Sequence, residues 1–291
     1  MATLQDFIHQ AWNDHGADAA GVALRLPLGL DAVSDEAGLT ALARLAFHVY
    51  GLHLGRWADA LKFNAALARG PGYRADGDSG VLLRRQRTAL ALAAAEGDAR
   101  ETLDTTGRVA ATAMAAELLG LHDAARSQAL LDEAVAAERA AALPDDNPAV
   151  RALAVAGNNV SGALEDLPAR SAVQALLMVN AALVGRDAWA RAGTWIEAER
   201  AEYRVASSYL TAGDATRAAA HARACLALVD AQPEPQPFER FYGCELLARA
   251  LRASGDPAGQ AQALLQARQA LAALPPDDQV ACQATLDAAA A

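Results

Sequence analysis

The chain has 291 residues, 53% of them hydrophobic and 5% aromatic, with a formal net charge of −10. That length can bury a large core, and so apolar a composition excludes intrinsic disorder. The acidic balance argues against nucleic acid or an anionic membrane as partner, since both recruit positive fields.

Alanine makes up over a quarter of the residues, which favours helix throughout. The basic residues are nearly all arginine, with Lys62 the only lysine, a bacterial-type bias of GC-rich coding. No run of 18 apolar residues occurs, so no membrane span is expected. The start, MATLQDFIHQAWND, lacks a basic stretch followed by an apolar core, so no signal peptide is expected. Three cysteines, Cys225, Cys244 and Cys282, without paired spacing suit a reducing, cytoplasmic setting.

In chain order, Thr3 caps a first helix to about Asn13, and Asp18 to Leu26 reads as its partner, stopped by Pro27. Ser34, followed by Asp35 and Glu36, opens a long helix that ends at Gly55; RWADALKFNAALAR returns from it. Residues 70–80 are a loop by composition, and a helix over 81–96 follows. Val109 to Leu143 folds on itself at Gly120. Pro144 and Pro148 interrupt the pattern, and Gly157 and Gly162 weaken the helix beyond them, so Asn158–Asn159 reads as a helix end or turn, with paired amides presented to a ligand as the other reading. SAVQALLMVNAALVGRDAWARAG is expected to turn at Gly185 with a short return.

The clearest unit runs from Glu199 to Asp230. Val205, Ala206, Tyr209 and Leu210 form one helical stripe, and Gly213 supplies a residue free to take positive φ. Asp214 offers a capping acceptor to the next helix, whose stripe is Ala218, His221, Ala222, Cys225, Leu226 and Val229. After the link QPEPQP a similar unit turns at Gly255, and a last helix lies near Asp278–Ala289. Gly213 and Gly255 stand 42 residues apart, as do Gly55 and Gly97. No strand-like alternation of any length appears, so the chain is all-α.

On these residues the unit resembles a tetratricopeptide (TPR) repeat: Val205–Ala206 stands for its Leu-Gly pair, Tyr209 for its Tyr, and Ala218 and Cys225 for its small residues. Glu202 replaces its usual Trp, Ala222 its Phe and Asp230 its Pro. The resemblance implies an α-α superhelix, a TPR-like solenoid of antiparallel helix pairs, clearest over 35–69, 105–143, 199–230 and 238–274. A single domain over 1–291 is expected, with 144–168 the place for any subdivision.

The resemblance also implies a concave face lined by the first helix of each pair. Laid on the last two units, the repeat pattern points Arg200, Tyr203, Ser207 and Thr211, then Tyr242, Glu245, Arg249 and Arg252, into that face. Arg forks and Tyr rings there would grip an anionic or peptide segment; a solvated face with ordinary ion pairs is the other reading. The carboxylate-clamp residues of the family, Lys and Asn, are missing at these places, so that specificity is not carried over. The expected function is a non-catalytic, cytoplasmic protein- or peptide-binding scaffold. The alternative is an enzyme or small-ligand sensor with a pocket enclosed by the helices, and self-association into a homo-oligomer is a third reading.

No cofactor, metal or catalytic residue is expected. Glu197, Glu199 and Glu202 alternate with Arg200 and Arg204, as in ion pairs along one helix. His221 and Cys225 lie four apart but on a packing stripe. His48 and His53, five apart, fall on different faces of an α-helix and make no metal pair. DGDSG (76–80) begins like a calcium loop but lacks the later bidentate Glu, so it reads as a plain turn.

Overall fold

A computed structural model describes residues 3–290. The helices are α1 (Leu4–Asp14), α2 (Ala19–Leu30), α3 (Glu36–Ala46), α4 (Trp57–Leu67), α5 (Asp78–Ala94), α6 (Thr105–Leu119) and α7 (Ala124–Ala141). There follow α8 (Pro148–Glu165), α9 (Ala172–Ala192), α10 (Trp195–Thr211), α11 (Ala215–Asp230), α12 (Pro237–Ala253), α13 (Pro257–Ala272) and α14 (Pro276–Ala290). A π-helical segment, Phe47–His53, continues α3. Among the described residues there is no strand, and the fold is all-α as expected.

The chain separates into two compact units, residues 1–156 and 157–291. Each has its own core. In the first, Leu26, Leu39, Leu42, Leu45, Leu90 and Leu118 are fully buried. In the second, alanines (Ala206, Ala218, Ala222, Ala248) surround Phe241, Leu246 and Val205, so that helix axes approach closely. Successive helices pack neighbour to neighbour within each unit. In the second unit α10, α12 and α14 touch in succession as one layer, and α11 and α13 pack across them.

One capping device recurs. Asp18, Asp35, Asp104, Asp123, Asp214 and Asp256 each accept from the amide three residues on, closing the open start of α2, α3, α6, α7, α11 and α13. Gly213 (φ +86°) and Gly255 (φ +78°) immediately precede two of these caps, in the left-handed region that side chains avoid.

Four expectations are corrected. Pro27 does not end α2, which continues to Leu30. A proline leaves the carbonyl four residues back without its amide; here that carbonyl, Ala23, accepts from the Tyr50 hydroxyl at 2.8 Å. α5 starts at Asp78, inside the expected loop. Gly185 is not a turn, since α9 runs unbroken from Ala172 to Ala192. Gly157, Asn158 and Asn159 lie inside α8 and are not its end. Gly157 and Gly185 serve helix contact: a Cβ on Gly157 would lie 2.6 Å from the Gly185 nitrogen.

The faces assigned to His48 and His53 are corrected too. In an α-helix two residues five apart point about 140° apart. The π-helical segment closes wider turns, as in the Leu54 amide bond to Val49 at 3.2 Å. Each fifth residue then comes round above the first, and the two imidazoles meet, Nε2 to Nε2, at 3.1 Å.

Candidate functional site

The groove of the second unit lies where α8, α10 and α12 present side chains together. Asn158, Glu199, Arg200, Tyr203, Arg204, Phe238, Glu239 and Tyr242 line a volume of about 340 Å³. Three of the residues expected at a binding face, Arg200, Tyr203 and Tyr242, thus share one wall. Tyr203 and Tyr242 meet edge to face with ring centroids 6.1 Å apart, and Phe238 lies 5.0 Å from Tyr242 on the other side. Such an aromatic step offers both apolar faces and hydroxyl edges. Burial pushes the Tyr203 hydroxyl well above the usual range, helped by the Glu245 charge, so it stays a neutral donor. Tyr242 is raised to about 12, by burial first and then by the Cys282 thiol, whose Sγ lies 3.7 Å from its oxygen.

The other expected residues are placed differently. Ser207 donates to Glu165 at 2.9 Å, and Arg204 reaches the same carboxylate oxygen at 2.7 Å. The Ser208 hydroxyl donates to the second oxygen of Glu165. Glu165 therefore ties α8 to α10. Glu245 does not point into an open face: α10, α11, α13 and α14 all touch α12, and Glu245 is 1% exposed. Burial raises its pKa against the opposing pull of Arg249, whose Nη1 lies 3.3 Å from it. Arg252 is exposed at the end of α12, and Thr211 is half-buried. Neither lines the groove.

Several charges of α10 find partners on other helices, a correction to the expected pairing along the helix. Arg200 reaches Glu239 of α12 at 3.3 Å. Glu202 contacts Arg186 of α9 at 3.4 Å and the His221 Nδ1 of α11 at 2.6 Å. Burial would raise the Glu202 pKa, but His221 and Arg186 together bring it below its usual value. Glu199 accepts from the Cys225 thiol at 2.7 Å, and burial lifts its pKa to about 7. His221 and Cys225 are thus each occupied by a separate glutamate. Burial and the Glu199 charge push the Cys225 thiol up, so it has none of the thiolate character of a nucleophile.

Five groove residues, Asn158, Glu199, Arg204, Phe238 and Glu239, were not among the expected binding residues. Asn158 was read as part of a turn. Phe238 and Glu239 follow the Pro-rich link, although Phe238 stands four before Tyr242, the spacing of a shared helix face. Arg204 contributes a further feature: its Nε is buried without an acceptor, as is Oε2 of Glu245 without a donor. Chemically the groove can stack apolar groups on three rings, offer amide and guanidinium donors, and accept through Glu239. Among the described residues no helix is long and apolar enough to cross a membrane.

No protein-family model matches this chain, and no curated protein matches it significantly.

Proposed function

We propose that this chain is a cytoplasmic, TPR-like helical-repeat scaffold that holds a segment of a partner protein in the groove between α8, α10 and α12, without catalysis of its own. The observation that carries this reading is the aromatic step of Tyr203, Tyr242 and Phe238, flanked by the Arg200 guanidinium and the Asn158 amide. The rings suit an apolar or aromatic side chain, Asn158 suits a peptide backbone, and Arg200, its side chain 63% exposed, suits a carboxylate. Helix pairs turning at Gly213–Asp214 and Gly255–Asp256 support the repeat reading.

The test is selection from a displayed peptide library on the full chain. Enrichment of segments joining an aromatic to an acidic residue is expected. Phe238→Ala with Arg200→Ala should weaken the selected peptide at least tenfold while leaving helicity and melting unchanged, because both side chains are exposed. Equal binding by the double variant, or no enrichment, overturns the reading.

A second reading, a site for a small ligand or a reaction, draws on the raised pKa of Glu199 in the groove wall. The Cys225 thiol already occupies that carboxylate and the groove is open along one side, which favours the scaffold.

A further inference from the structure

The first unit brings three histidines from distant positions to one point. His15 caps the C-terminal end of α1, and His48 and His53 stand on the π-helical segment. The His48 Nε2 lies 3.2 Å from that of His15 and 3.1 Å from that of His53. All three ligand atoms fall within 4.8 Å of one another. The rings do not stack; they meet edge on, with centroids 4.8 to 5.0 Å apart.

Protons alone do not satisfy this arrangement. Each nitrogen of a neutral imidazole carries either a hydrogen or a lone pair, so His48 Nε2 cannot donate to one of these neighbours and accept from the other. The far side of the His15 ring shows which of its nitrogens carries the proton. His15 Nδ1 is 2.7 Å from the Trp12 carbonyl, an acceptor, so Nδ1 holds the hydrogen and Nε2 the lone pair. His48 Nδ1 faces the Glu117 carboxylate at 3.6 Å. The His15 lone pair, with the Nε2 atoms of His48 and His53 beside it, therefore faces the point between the rings. Backbone carbonyl and carboxylate behind imidazole are the outer partners that orient histidines on a metal ion. Two nitrogens bound to one zinc at about 2.0–2.1 Å in tetrahedral geometry stand about 3.3 Å apart, close to the spacing here.

The geometry points to a three-histidine site, His15, His48 and His53, for a divalent transition-metal ion of the zinc class. Imidazole donors select such ions over magnesium or calcium, which take oxygen. Trp12 packs on both His15 and His48, with centroids 5.1 Å away, and covers one side of the cluster. Each of the three histidines remains half-buried, so water can complete the coordination. The site also explains the π-helical turn, a rare form that recurs at functional sites, because only that turn brings positions 48 and 53 together.

The test uses the full chain without a histidine tag, dialysed against chelator and titrated with zinc alone, then with cobalt. One zinc per chain is expected, together with a rise in melting temperature and visible cobalt bands of tetrahedral nitrogen coordination. His15→Gln, at the end of α1 and clear of the π-helical turn, should weaken zinc at least about tenfold with the apo fold unchanged. His53→Gln should do the same, while His9→Gln with His221→Gln should leave binding intact. Failure of the wild-type chain to bind zinc, or full binding by both His15→Gln and His53→Gln, overturns the site. Neither result bears on the peptide groove, whose residues all lie in the second unit.

Discussion

Gly157 of α8 and Gly185 of α9 meet backbone to backbone: a Cβ on the first would stand 2.6 Å from the nitrogen and 2.9 Å from the Cα of the second. It would also lie 2.5 Å from the Ala181 carbonyl oxygen. None of these atoms is the end of a flexible side chain, so α9 itself must move to admit a methyl group. Gly157→Ala should therefore destabilise the protein by about 1–3 kcal/mol, as overpacking does. Gly162, five residues on in the same helix, differs: the atoms nearest its added Cβ are those of the Arg204 guanidinium, at 3.5 Å. Gly162→Ala should stabilise by about 0.5–1 kcal/mol by removing glycine from a helix interior. Urea unfolding measures both, and equal stability of the two variants would contradict the contact.

The bond from Tyr50 to Ala23 makes a second, separable prediction. Because Pro27 has no amide to give, the Tyr50 hydroxyl is the donor to a carbonyl inside the core, with Tyr50 6% exposed. Tyr50→Phe keeps the ring and orphans that carbonyl, an expected loss of about 1–3 kcal/mol. In a Pro27→Ala background the helix supplies its own amide to Ala23, and the same Tyr50→Phe change should cost less. A double-mutant cycle on melting or denaturant midpoints reads the coupling. Equal losses in both backgrounds would show that the hydroxyl does not compensate for the proline.

These two cases also show what was legible in the sequence. Gly213–Asp214 and Gly255–Asp256 could be read as turns because positive φ and the cap sit on adjacent residues. Gly157 and Gly185 could not be told from breakers, since a glycine that admits another helix looks the same as one that ends its own. Pro27 reads as a stop until Tyr50, 27 residues beyond Ala23, is known to answer the Ala23 carbonyl. At the groove, Arg200, Tyr203 and Tyr242 followed from repeat spacing, whereas Asn158 arrived through the unbroken course of α8. The histidine cluster was invisible for a different reason. Its members belong together only after one segment leaves α-helical periodicity, and the residues Phe47 to His53 carry no pattern that announces the change.

The buried Glu199 gives the second unit a pH dependence that one substitution can isolate. It is 2% exposed, and desolvation raises its folded pKa from the ordinary carboxylate value near 4.5 to about 7. Between those two values the folded chain holds a proton that the unfolded chain has released. Stability from this group is therefore fully present below about pH 4.5 and is lost as the pH rises through about 7, each pKa unit of difference being about 1.4 kcal/mol. Glu199→Gln keeps the shape and the oxygen facing Cys225 but cannot ionise. Its stability relative to wild type should thus rise between pH 5 and pH 8, with the two converging toward the acid end. Urea midpoints of the pair at pH 5, 6, 7 and 8 provide the measurement. A constant difference across that series would mean that Glu199 ionises in the folded protein as readily as in the unfolded one, and that the thiol bond and the surrounding apolar residues leave its charge solvated.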